Sequence, residues 1–155
     1  CSVRRQRQMC IRDRIIVDLP YVESEEFLKK LNDKGVDLIR LISPTTTEER
    51  IAKILASSSG YLYYISLKGV TGSELKISNE LENRVSEIKK QTKLPIVVGF
   101  GIKDAKTARK MSLCSDGVVV GSKLVDEIGK FEPKKENILN QNLTSIISEL
   151  KHGIS

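Results

Sequence analysis

Short apolar runs alternate with amphipathic stretches along most of this chain. Ile15–Leu19, Val36–Ile42, YLYYIS after Gly60, PIVVGF from Pro95 and GVVV from Gly117 read as strands bounded by glycine and proline. Between them, apolar residues recur at helical spacing. Glu25–Leu31 is predicted as a helix with Ser24 as its cap and Gly35 as its stop. Thr46 followed by Glu49 reads as a capping box for a helix carrying Ile51, Ile54 and Leu55. Further helices are predicted on Ile77, Leu81, Val85 and Ile88, from Ser122 to Ile128, and on Ile138, Leu143, Ile146, Ile147 and Leu150. Strand starts fall near 15, 37, 60, 95 and 117, so three intervals are about 22 residues, close to one βα unit. The longer third interval holds LKGVTGSELK and a long helix.

Repeated βα units with near-continuous apolar strands imply an α/β fold with a parallel sheet buried on both faces. Such a sheet is either open and doubly wound or closed into a barrel. A closed (β/α)8 barrel needs eight strands and about 250 residues. Five strands in a 155-residue chain therefore read as an incomplete TIM barrel, about its last five βα units.

Composition changes this picture at one end. The net charge of +6 suggests nucleic acid until it is located. Residues 1–14, CSVRRQRQMCIRDR, hold five arginines against Asp13 and carry +4 of it. The rest offers no basic stripe interleaved with aromatics, so no nucleic-acid partner is expected. This segment lacks the apolar core of a secretory signal. It reads as a non-native or disordered leader, with 15–155 as the barrel portion. No apolar run approaches a membrane span. Cys1, Cys10 and Cys114 show no C-x-x-C spacing, so no metal site is expected and a reducing cytoplasm fits.

The candidate chemistry lies in 95–126. Gly99-Phe100-Gly101 and Gly121-Ser122 each end an apolar run and open a helix. Glycine lets an anion approach the backbone, and a helix N-terminus adds partial positive charge. In β/α barrels the last two βα loops often hold phosphate. The connection Leu67–Lys76 is longer than a strand-to-helix join requires, and Gly69 and Gly72 flank Val70-Thr71, so it reads as a lid. Other candidates point to structure. Asp104 suits a helix cap, Cys114 suits packing, and Tyr61, Tyr63 and Tyr64 suit a sheet. His152 lies in the terminal tail, so no Ser–His–Asp arrangement is available.

IVDLP, LISPTTTEERI, YYISLKGVTG and PIVVGFGI…GVVVGS, in that order over about residues 15–150, resemble the tryptophan synthase alpha chain family. The resemblance implies a β/α barrel that cleaves indole-3-glycerol phosphate to indole and glyceraldehyde 3-phosphate. It implies an α2β2 complex with a beta chain that carries pyridoxal phosphate, the alpha chain itself holding no cofactor. It places substrate phosphate at Phe100, Gly101, Gly121 and Ser122, and the active-site loop at Thr71 and Gly72. Tyr63 falls near the reacting part of the substrate, and Asp18 near the beta chain. The family's two catalytic carboxylates precede the region matching Ile15, so no catalytic residue is assigned in this chain. One such group protonates indole C3; the other takes the glycerol hydroxyl proton. Two alternatives stay open: another phosphate-binding β/α barrel of histidine or tryptophan biosynthesis, and a non-catalytic half-barrel.

Overall fold

The computed structural model describes residues 13–15, 24–66, 74–99, 101–102, 104–130 and 136–154. Its strands are β1 (Asp13–Ile15), β2 (Asp37–Ile42), β3 (Leu62–Ile65), β4 (Ile96–Gly99) and β5 (Gly117–Val119). The helices are α1 (Ser24–Asn32), α2 (Glu48–Ala56), α3 (Glu74–Lys89), α4 (Ala105–Ser112), α5 (Ser122–Gly129) and α6 (Glu136–Ile154). All four strand pairings are parallel, and the sheet order is β1-β2-β3-β4-β5. That order decides between the two architectures left open. A doubly wound sheet reverses direction at a switch point, whereas a barrel adds each strand beside the last.

Alternation along the strands assigns the two faces of the sheet. Ile42, Leu62, Tyr64, Ile96 and Val98 are buried together with Ile51 and Ile54 of α2 and Leu81, Val85 and Ile88 of α3. This is the helix-facing core. The intervening residues Tyr63, Ile65, Val97 and Gly99 project to the other face. A second cluster joins Ile102, Ala108 of α4 and Leu150 of α6, with Val118, Val120 and Ile146 packed against it.

Polar contacts pin the layers. Asp116 Oδ2 accepts from the Ile96 amide at 2.8 Å and Oδ1 accepts from Lys89 at 2.9 Å, while the Asp116 amide donates to Ile96 O at 2.8 Å. These bonds fix the starts of β4 and β5 against the end of α3. Arg84 donates to Thr46 O at 2.9 Å and pairs with Glu48 and Glu87, tying α3 to the β2–α2 turn.

Several predicted details shift. The described part of the first strand is Asp13–Ile15, so it begins two residues before the predicted start at Ile15; the rest of the Ile15–Leu19 run, residues 16–19, lies outside the described residues. β1 thereby takes Asp13 and Arg14, the last residues assigned to the leader, into the sheet beside Asp37 and Leu38. Ser24 is already helical. The cap of α2 is Thr47, whose side chain accepts from the Arg50 amide, and not Thr46. Thr46 Oγ1 instead accepts from the Ser43 amide at 3.0 Å, closing the turn before the helix. On α6, Leu150 is buried and Ile146 packs inward, but Ile138 and Ile147 are 51% and 53% exposed. Helix α6 carries more apolar residues than one face can bury; at about 3.6 residues per turn Ile138 falls far from the Leu143–Leu150 stripe. His152 belongs to the last turn of this helix.

Candidate functional site

The site is built at the C-terminal ends of β3, β4 and β5. Gly99 and Val119 are register partners at the ends of β4 and β5. Gly101 and Gly121 each follow two residues later, so the two predicted turns leave the same sheet edge from neighbouring strands. Gly101 has φ +75°, a left-handed conformation that side chains disfavour. It turns the chain into α4. Gly121 is the cap of α5, and its carbonyl accepts from the amides of Leu124 and Val125 at 2.9 and 3.0 Å. Ser122 is the first residue of α5 and is exposed.

The two helix starts differ in one respect that matters for anions. Asp104 caps α4 with its own carboxylate, accepting from the Thr107 amide at 2.7 Å. That bond holds its carboxyl below the usual range. Gly121 caps α5 with no side-chain hydrogen bond. The first turn of α5 holds no acidic residue either, so among the described residues its N-terminal amides and partial positive charge have no counter-charge from the helix's own cap or first turn. An anion at this edge finds one helix start already neutralised and the next one open.

Tyr63 approaches from β3. Its hydroxyl sits 2.1 Å from where a Cβ on Gly99 would lie, and its Cζ 2.6 Å. The ring thus lies across the bare Cα of Gly99, and its hydroxyl is at the end of β4 because that residue has no side chain. Half-burial pushes the phenol up from its ordinary value, so it is a neutral hydroxyl at pH 7. Beyond β3, the buried Ser66 donates its amide to Gly99 O at 3.1 Å, extending the pairing to this edge.

The structure thus brings Tyr63, Gly101, Gly121 and Ser122 to one end of the sheet. Phe100, Asp18, Thr71 and Gly72 lie outside the described residues, as does the whole 67–73 part of the predicted lid. Asp104 is engaged as a cap. Cys114 packs against the helix-facing core and donates to Met111 O; burial pushes its thiol up, away from the reactive thiolate. Among the described residues no three His, Cys, Asp or Glu side chains form a metal-binding group, and no helix is long and apolar enough to cross a membrane. The residue whose part was not legible in the sequence is Gly99. It lies two residues after Val97, the register partner of Tyr63, which puts it diagonally under the Tyr63 ring.

The sequence pattern of the tryptophan synthase alpha chain family matches residues 3–155. The chain belongs to that family. It is 40% identical over 140 residues to the tryptophan synthase alpha chain of Aromatoleum aromaticum, covering 90% of this chain and 51% of that one. It is 48% identical over 114 residues to the protein from a Janthinobacterium species, covering 74% and 43%. Among solved structures, the alpha subunit from Legionella pneumophila superposes with a TM-score of 0.75 at 35% identity, over 92% of this chain and 51% of that one. The subunit from Campylobacter jejuni gives 0.79 at 30% identity, over 94% and 57%. The chain spans about half the length of the curated relatives it matches. Its five described βα units are part of the family's (β/α)8 barrel.

Proposed function

We propose that this chain is the C-terminal portion of a tryptophan synthase alpha chain and supplies the phosphate-binding end of its active site. The intact chain would then be a carbon–carbon lyase that releases indole and glyceraldehyde 3-phosphate from indole-3-glycerol phosphate. One observation carries the reading: register-matched glycine turns leave adjacent strands, and the second opens a helix that has no side-chain cap. The backbone at Phe100, Gly101, Gly121 and Ser122 anchors the phosphate. The Tyr63 hydroxyl, seated on Gly99, lies beside the reacting carbons. Thr71 and Gly72 belong to the loop that covers them. The retro-aldol acid and base come from carboxylates outside this chain, so the chain alone binds phosphate without turnover. Pyridoxal phosphate belongs to the beta-chain partner of an α2β2 complex, for which Asp18 is the proposed contact, and the cytoplasm is the proposed compartment.

Gly121→Asp tests the anchor. A Cβ at Gly121 meets nothing within 4 Å, and its φ of −113° suits any residue. Aspartate is a favoured cap, so the fold should hold or gain stability. Its carboxylate would occupy the open amides and repel a phosphate. Titration with glycerol phosphate, followed through the amide resonances of Gly101 and Ser122, should show saturable binding that Gly121→Asp abolishes. Unchanged binding by this variant would refute the assignment. The purified 155-residue chain should release no indole from indole-3-glycerol phosphate, and turnover would overturn the placement of the catalytic groups.

A further inference from the structure

The turn at Gly101 is held on one side by β4. Its other support is the far end of the chain. Gly153, in the last turn of α6, lies against Ala105, the first residue of α4. A Cβ on Gly153 would come within 2.8 Å of Ala105 Cβ, 2.8 Å of Ala105 O and 3.0 Å of Ala105 Cα. Two of those atoms are backbone, which cannot swing aside as a flexible side chain can. One turn earlier on the same stripe, Leu150 is buried in a cluster with Ile102 and Ala108. Ile102 directly follows Gly101, and Ala105 directly follows the cap Asp104. The segment from Gly101 to Ala105 is thus seated on α6 at both its ends.

We infer that the C-terminal turn of α6, through Gly153 and Leu150, is a positioning element for the phosphate-binding turn at Gly101. This rests on the phosphate reading above and extends it to residues more than forty positions away in sequence. Gly153 touches no ligand. Its small size sets how closely α6 approaches α4, and that distance sets where the Gly101 amide points. Protein interiors pass on such displacements because they are densely packed.

The experiment compares inorganic phosphate binding by the full 155-residue chain, by Gly153→Val and by Gly153→Ala, each well below its melting temperature. Gly153→Val should shift the Gly101 amide resonance and weaken phosphate about tenfold, as expected when one charge-assisted hydrogen bond is misaligned. Gly153→Ala should do the same to a smaller extent and guards against a variant that does not fold. Adding Ala105→Gly to Gly153→Ala removes one of the three close contacts and should recover part of the affinity. Glycine at that helical position lowers stability further, so a role confined to stability predicts the opposite. Parent-like phosphate affinity and an unmoved Gly101 resonance in both single variants would overturn the inference while leaving the phosphate reading intact. A parent chain that binds no phosphate would bring down both.

Discussion

Gly99→Ala is the sharpest test of how the site is assembled. The added methyl would meet Tyr63 Oη at 2.1 Å, Cζ at 2.6 Å and Cε2 at 3.2 Å. Comfortable heavy-atom separations are roughly 3.5–4.0 Å, so the phenol must retreat by about 1 Å or more. Gly99 is buried and paired on both sides, with Ile65 and with Val119, so its backbone cannot yield instead. Overpacking of this kind costs about 1–3 kcal/mol, which in a domain of this size lowers Tm by roughly 2–12 °C. The same distances predict which second changes help. Tyr63→Phe removes the nearest atom but leaves Cζ at 2.6 Å, so it should relieve the clash only in part. Tyr63→Leu removes the ring and should relieve most of it. Urea and thermal denaturation of the parent, the three single variants and the two double variants give the coupling energies directly. Strictly additive effects, or a Gly99→Ala variant as stable as the parent, would refute the placement of the ring over Gly99.

Two further outcomes follow from the described contacts and a third from the proposed active-site loop. Hydrogen bonding from the Ile96 amide, aided by Lys89, holds the Asp116 carboxyl below its ordinary range; its stabilisation is present above the unfolded pKa of about 3.9 and is lost as pH falls through the lower folded value. Asp116→Asn should therefore lower Tm at pH 7 but narrow the loss between pH 5 and pH 2.5; an equal loss in parent and variant would remove Asp116 from the account. Thr47→Ala should cost about 1 kcal/mol through loss of the α2 cap, measured by urea denaturation, and an unchanged stability would remove Thr47 as the cap. In a full-length chain carrying these residues, Thr71→Val should reduce turnover with phosphate affinity nearly unchanged, as steady-state kinetics and inhibition by glycerol phosphate can separate; wild-type turnover would leave Thr71 without a part.

The strands of the core were legible because β2, β3 and β4 are apolar runs bounded by glycine and proline, and α2 and α3 carry their apolar residues on one stripe. The start of the first strand was not legible because the observed pairing takes in Asp13 and Arg14, polar residues opposite Asp37 and Leu38, ahead of the apolar run that begins at Ile15. Pairing with a neighbour set that start, a tertiary effect that no window of sequence contains. The α2 cap moved by one residue because three consecutive threonines offer equivalent hydroxyls, and only the fold of the turn selects among them. The glycine turns announced themselves, since an anion site of backbone amides needs residues without side chains. The seat of Tyr63 on Gly99 did not, because it depends on two strands lying side by side.

If α5 holds phosphate as proposed, the unequal ends of α4 and α5 tie heat resistance to ligand supply. Helix α4 carries its own counter-charge in Asp104 and is complete without help. At α5 a bound phosphate would do for the first turn what Asp104 does for α4, so ligand concentration and the melting of that corner become one equilibrium. At a hundred times the dissociation constant, such linkage adds about 2.7 kcal/mol to the folded state. On the proposed reading the chain would then be most easily opened, at α5, when no phosphate is bound there.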